Sequence, residues 1–156
     1  MRGPGFAWPE VSNNLSRATA VSGLILSVLL SHPAAQAADL EVMVQGVKDA
    51  SGQVKLMLFD REEGFRKEDK ARQVLALPAA PGTLKGRFTG LEPGRYAVIA
   101  YHDENGDGKL NLRLGMFPKE GYGLSNNPKL MGPPKFAAAA LEVINPGSAT
   151  VIRMDY

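Results

Sequence analysis

The chain has no cysteine among its 156 residues. A disulfide framework and a lipoprotein anchor are therefore excluded, and so is thiol nucleophilic catalysis. The folded domain must be held together by packing, with a bound metal ion as the remaining additional source of stability.

An excess of charge of one sign is also missing. The 18 Lys and Arg residues and 16 Asp and Glu residues leave a formal charge of +2, and no basic run interrupts their scatter. We therefore expect no nucleic acid as partner, because a nucleic-acid footprint needs clustered cations. The hydrophobic share of 44% with 22% charged residues is typical of one globular domain at this length.

The chain has no apolar run long enough for a permanent membrane span, which needs roughly 20 residues. Its longest apolar block runs from Ala20 to Leu30, follows Arg17 and precedes the small-x-small pattern Ala35-Gln36-Ala37. This arrangement predicts a signal peptide over 1–37 and a single mature domain over 38–156, located in the periplasm or secreted. An uncleaved membrane anchor is the alternative.

Alternating apolar positions and intervening turn residues predict an all-β fold. The first two strands should form an antiparallel hairpin across Ala50-Ser51-Gly52, and the only helix-friendly run, Phe136 to Ala140, is too short to form a layer. We therefore expect a seven-stranded antiparallel two-sheet sandwich. The predicted strands are 40–45, 53–60, 73–77, 84–91, 96–102, 141–144 and 149–156.

Three further features refine this expectation. The charged block 61–72 should be a short helix or loop anchored to the core by Phe65. Tyr96, in the sequence Leu-Glu-Pro-Gly-Arg-Tyr, is expected either to form a tyrosine corner with the preceding turn or to be an ordinary buried tyrosine. The Gly- and Pro-containing segment 115–134 predicts one long ordered loop, packed on the sandwich outside its core.

The stretch after the fifth strand is the only one with a chemical signature. Asp103, Asn105 and Asp107 occupy positions 1, 3 and 5 of a calcium-loop pattern, and Gly108 occupies position 6, where the backbone must turn sharply. Position 12 is Leu114, so the bidentate glutamate of an EF-hand is absent. The predicted ligands are Asp103, Asn105, Asp107, the Lys109 carbonyl, Asn111 and Glu120. The alternative is a polar turn without metal.

An enzyme needs a nucleophile or an acid–base pair, and the mature chain is poor in both. Its one histidine is His102, and a triad of Ser125, His102 and Asp103 fails because adjacent strand residues point to opposite faces. Glu120 with Asp103 could form a carboxylate pair only in a cleft. We expect no catalytic activity.

The sequence between Gly94 and Asn127 resembles the bacterial family of domain of unknown function 2141. The resemblance covers essentially the whole mature chain and implies exported proteins with an immunoglobulin-like or prealbumin-like sandwich, without naming an activity. This chain has Asn111 where that pattern usually has aspartate. The motifs that carry the resemblance are Arg95-Tyr96-Ala97, His102-Asp103-Glu104-Asn105-Gly106, Pro118-Lys119-Glu120-Gly121-Tyr122-Gly123 and Ser125-Asn126-Asn127.

These observations favour a non-catalytic envelope or periplasmic binding module, whose partner would be an envelope protein or a polysaccharide. A secreted carbohydrate-binding module is the alternative. Such modules stack sugars on exposed aromatic rings, but Trp8 lies in the predicted signal peptide and Tyr122 would have to serve alone. A hydrolase is the third hypothesis.

Overall fold

The computed structural model describes residues 37–113 and 117–156. The predicted signal peptide, apart from its last residue, and Leu114 lie outside these ranges. The described residues form ten strands, a short α-helix α1 (Phe136–Ala139) and a 3-10 helix (Glu68–Lys70). The strands are β1 (Ala38–Val47), β2 (Gln53–Phe59), β3 (Gln73–Pro78), β4 (Gly82–Leu91), β5 (Gly94–Asp103), β6 (Leu112–Arg113), β7 (Phe117–Pro118), β8 (Tyr122–Leu124), β9 (Leu141–Val143) and β10 (Gly147–Arg153).

Two sheets form the sandwich, as predicted. The smaller sheet has the order β10-β1-β4, and the larger has the order β3-β2-β5-β8 with β9 paired to the start of β5. Strands β6 and β7 form a separate two-stranded ribbon. The larger sheet carries the loop with the chemical signature, because that loop begins where β5 ends.

The predicted hairpin of the first two strands is wrong. Strand β1 pairs with β4 and β10, whereas β2 pairs with β3 and β5, so the turn at residues 50–52 carries the chain from one sheet to the other. The prediction of a wholly antiparallel sandwich is also wrong, since β1 and β10 run parallel. Alternation shows which face of a strand is buried, and consecutive strands that face each other across a core have the same alternation as strands that pair.

Alternate apolar residues of both sheets fill the core between them. Leu40 and Val42 of β1 and Leu56 and Leu58 of β2 are fully buried in one apolar cluster. Gly86 lies opposite: a Cβ there would come within 2.5 Å of Leu56 Cδ1. The interior is thus packed to the point at which a single methyl group would force a rearrangement.

The outer face of the larger sheet holds a second apolar cluster. Phe65, the predicted anchor of the charged block, is buried there and packs edge-to-face on Phe59 and Phe136, with ring centroids 5.1 and 5.8 Å apart. Helix α1 contributes Phe136 and Ala139 to this cluster. The larger sheet is therefore covered on both sides, which explains why β5 is apolar at consecutive positions.

Two further predictions can be compared with the structure. The Tyr96 hydroxyl donates to the Glu92 carbonyl at 2.9 Å, which confirms the tyrosine corner. The placement of segment 115–134 outside the core is wrong in part, because residues 122–124 form β8, an edge strand of the larger sheet in which Leu124 is buried. No helix among the described residues is long and apolar enough to cross a membrane.

Candidate functional site

The loop that follows β5 is shaped by two glycines and by its own side chains. Gly106 and Gly108 have φ values of +72° and +77°, which glycine adopts without the steric cost of a Cβ. The Asn105 side-chain oxygen accepts the Asp107 N–H at 2.9 Å, and the Asp107 carboxylate accepts the Lys109 N–H at 2.9 Å. These are Asx turns, which the polar-turn alternative also predicts.

Asp103 lies at the base of the loop and is completely buried. Its Oδ2 atom accepts the Gly108 N–H at 2.9 Å and the Gln53 amide at 3.1 Å. Its Oδ1 atom is buried without a hydrogen-bond partner among the described residues. An unpaired acceptor on a buried carboxylate is costly, so this atom is where an additional ligand would gain most.

Three other oxygens converge on the side-chain amide of Asn111. Its Nδ2 atom lies 2.9 Å from Asp107 Oδ2, 3.2 Å from Glu120 Oε2 and 3.5 Å from the Lys109 carbonyl. The amide presents its partly positive NH₂ group to these oxygens. Turning it by 180° would place its carbonyl oxygen beside these three oxygens, which would add a fourth possible cation ligand.

Glu120 reaches the loop from the segment after β7, as the sequence predicted, and only 6% of its surface is exposed. Its Oε1 atom accepts the Glu104 N–H at 3.2 Å and its Oε2 atom accepts the Asn111 N–H at 2.8 Å. Glu120 therefore ties the start of the loop to its end.

The six predicted ligands are thus brought together unequally. Asp107, Lys109, Asn111 and Glu120 share one cluster, which Asn105 joins through a 3.2 Å hydrogen bond to Asp107. Asp103 forms its hydrogen bonds with Gly108 and Gln53. Among the described residues, no three His, Cys, Asp or Glu side chains form a metal cluster. A cation here would need amide and carbonyl oxygens as ligands.

Hydrogen bonds hold Asp107 in its charged form. The Asn111 amide, followed by the Lys109 N–H, keeps the pKa of the Asp107 carboxyl below its usual value. Because this carboxyl is on the exposed side of the loop, it can be reached by an ion from solvent.

A set of hydrogen bonds that sequence analysis did not predict holds the loop from outside. The Tyr101 hydroxyl lies 2.8 Å from the Gly108 carbonyl and 3.2 Å from Glu68 Oε2, and Lys55 Nζ lies 2.7 Å from Glu68 Oε1. Burial raises the pKa of Tyr101 to about 12, so its hydroxyl stays protonated well above neutral pH. Lys55 and Tyr101 are cross-strand partners, a relationship that sequence alone could not supply.

The profile of a family described as "Uncharacterized protein conserved in bacteria (DUF2141)" matches residues 42–151. The chain belongs to this family. Neither the curated proteins nor the solved structures contain a match. The immunoglobulin-like or prealbumin-like assignment therefore stays a prediction.

In this DUF2141 protein, His102 is buried in a structural network. Its Nε2 atom lies 2.7 Å from the Ser51 carbonyl, which can only accept, so Nε2 carries the proton. Its Nδ1 atom lies 2.9 Å from the Tyr156 hydroxyl, and that hydroxyl accepts the Lys48 N–H at 2.9 Å. The network joins the C-terminal residue to the turn between β1 and β2.

The hypothetical triad is not assembled. The Ser125 hydroxyl is buried and bonds to the backbone of Val98 and Ala139. The ring nitrogens of His102 bond to other residues, and Asp103 bonds to Gln53 and Gly108. Tyr122, the single aromatic left for sugar stacking, is half-buried and packs against the outer apolar cluster.

Proposed function

We propose that this DUF2141 protein is an exported, non-catalytic binding module of the bacterial envelope whose loop 103–111 binds calcium. The observation that carries the calcium assignment is the buried Asp103 carboxylate, whose Oδ1 atom has no partner among the described residues. The calcium-loop spacing of Asp103, Asn105 and Asp107 is the supporting sequence feature.

Electrostatics favour a cation at this loop. Asp103 and Glu120 are both buried, and their described hydrogen-bond donors are neutral backbone or amide groups. Neutral donors only partly compensate the desolvation of a charge, whereas a divalent ion supplies the full opposite charge. Because many of the ligands would be neutral, we expect a weak site of the extracellular kind, with a Kd of about 0.1 to 1 mM.

Calcium at 2 mM is expected to stabilise the protein by about 1 kcal/mol, because binding to the native state alone adds RT ln(1 + [L]/Kd). That corresponds to a rise in Tm of about 4 °C. The measurement is a thermal melt in EDTA and in calcium, together with isothermal titration of calcium. The double variant Asp103→Asn and Asp107→Asn should lose the response and remain folded.

The matched control is Asp39→Asn with Asp69→Asn, which removes the same charge from a half-buried and an exposed position outside the loop. This control should keep the full calcium response. Wild-type melts that coincide in EDTA and in calcium, with no heat of binding, would leave the polar turn as the correct interpretation.

The non-catalytic part of the proposal is supported by the partners of His102 and Ser125, since both side chains are committed to structural hydrogen bonds. Export is supported by the short apolar block from Ala20 to Leu30 and by Ala35-Gln36-Ala37 after it.

Export predicts a mature protein that begins near Ala38. Mass spectrometry of the protein from the envelope fraction of its own host should detect that N-terminus, because signal peptidase cleaves after the small-x-small pattern. Replacing Ala35 and Ala37 by bulky residues should block processing. An intact Met1 on protein from the cytosolic fraction would contradict the assignment.

A further inference from the structure

A cavity of about 760 Å³ lies over the outer face of the larger sheet. Its walls come from the end of the candidate calcium loop, from Pro118 and from the segment around Leu130 to Pro134. The volume falls within the range of roughly 300 to 1,000 Å³ that small-molecule sites occupy in proteins. The cavity is partly open to solvent, so a ligand could enter without unfolding the sheet.

The floor of the cavity is built from one apolar row across three strands and from Tyr101 in the next row. Met57, Ile99 and Leu124 are aligned by the registers of β2 with β5 and of β5 with β8. Tyr122 is paired with Tyr101 and lines the same space. All these side chains project from one face of the sheet, since alternate strand residues share a face.

The charged groups of the cavity are not balanced. Arg66, Lys109 and Glu68 line it, but Glu68 is already paired with Lys55 at 2.7 Å. Arg66 and Lys109 form no ion pair with any described residue. An apolar floor therefore lies beside two cations that have no ion-pair partner among the described residues.

Arg66 has a second distinguishing feature. Its φ value is +76°. Residues other than glycine, asparagine and aspartate seldom adopt this region of backbone conformation. The turn thus holds an arginine at the cavity in a costly backbone conformation, and such outliers are frequent at ligand-binding sites.

We propose that this cavity binds a small organic anion with an apolar body, of the alkyl or aryl carboxylate class. The apolar body would cover Met57, Ile99 and Leu124, and the carboxylate would face Arg66 and Lys109. The proposal deepens the proposed function by naming a ligand site for the binding module, but it does not require calcium.

The chemistry of the cavity favours this class over sugars. A sugar needs several polar groups to bind its hydroxyls, whereas the floor is mainly the apolar row Met57, Ile99 and Leu124, and the Tyr101 hydroxyl already bonds to the Gly108 carbonyl and Glu68. A carboxylate instead uses the guanidinium of Arg66 as a charge-assisted donor.

The test is isothermal titration of the purified protein with decanoate, decanol and decyltrimethylammonium, all in EDTA. Decanoate is expected to bind at least tenfold more tightly than decanol, because only its carboxylate is attracted to the charged side chains of Arg66 and Lys109. The cationic analogue should show no binding. The affinity for decanoate should fall as salt is raised, since the cations are exposed to screening.

The charge variant is Arg66→Gln with Lys109→Gln, which should weaken decanoate binding about tenfold or more. Its matched control is Lys85→Gln with Arg87→Gln on the smaller sheet, which removes the same charge and should leave the affinity unchanged. A third variant, Leu130→Trp, fills the cavity from a half-buried wall position and should abolish binding while the thermal melt shows a folded protein.

The proposal is overturned if decanoate does not bind, if decanol binds equally well, or if the charge variant and its control retain the same affinity. Because these titrations contain EDTA, they are independent of the calcium assignment. Calcium melts that show no response would refute the loop assignment and leave the cavity result unaffected.

Discussion

Gly52→Ala is expected to destabilise the protein by about 3 kcal/mol. Gly52 has a φ of +62°, and a Cβ built on it would lie 1.9 Å from the Asp103 carbonyl oxygen. The obstacle is backbone in the neighbouring strand, which cannot rotate aside as a side chain could. The left-handed conformation costs about 1 kcal/mol for alanine, and forcing the strands apart adds roughly 1 to 3 kcal/mol.

Gly90→Ala is the matched control for this substitution. Gly90 has a similar φ of +70°, but a Cβ there would meet nothing within 4 Å. The control should therefore lose only the conformational part, about 1 kcal/mol. Chemical denaturation of both variants measures the difference, and equal losses would show that the contact with Asp103 is relieved at no cost.

The effect of Gly52 should extend to the candidate site. Gln53, the next residue, is the cross-strand partner of Asp103 and donates to its carboxylate. Displacing this strand pair would move Asp103 away from the Gly108 N–H. We therefore expect Gly52→Ala to weaken calcium stabilisation as well, which Gly90→Ala should leave intact.

Most of the longer strands were predictable from the sequence because they bury alternate residues, as β1 does. Their partners were not. The alternation around Val42 and Leu56 is the same whether β1 and β2 pair in one sheet or face each other across the core. No local sequence feature distinguishes a hairpin turn from a turn that changes sheets. The parallel pairing of β1 with β10 joins the two ends of the domain, and that contact depends on the whole topology.

The candidate site also has a part that the sequence predicted and a part that it did not. Spacing placed Asp107, Lys109 and Asn111 in one cluster, because those residues lie within one tight loop. Glu120 also contacts the loop as expected, because its segment lies nearby in the chain. Gln53 and Lys55 come from β2, and only the register of β2 against β5 reveals that they contact Asp103 and Tyr101.

One sequence signal for the outer cluster was present but ambiguous. β5 is apolar without interruption from Tyr96 to Tyr101, and such a strand is typically covered on both faces. That run therefore predicts a second layer over its residues of odd number, such as Ile99 and Tyr101. The sequence did not show that the layer would leave a cavity.

The candidate calcium loop and the cavity have residues in common. Gly108 accepts the hydrogen bond of Tyr101 and, with Lys109 and Leu110, lines the cavity. The same residues lie between the calcium-ligand candidates Asp107 and Asn111. An ion that fixes this loop would therefore also fix one wall of the cavity and reduce the ordering cost of a ligand.

Ser125→Ala is expected to cost about 2 to 3 kcal/mol. The Ser125 hydroxyl is fully buried, accepts the Val98 N–H at 2.8 Å and donates to the Ala139 carbonyl at 2.5 Å. Alanine would leave both backbone groups without this partner, and each buried unpaired group costs about 1 to 3 kcal/mol. Ser148→Ala is the control, since its Oγ accepts an exposed N–H from Ile144 at 3.1 Å and its loss should cost under about 1 kcal/mol. Urea denaturation of the two variants decides the matter: a Ser125 variant as stable as the wild type would show that the hydroxyl is not a structural group.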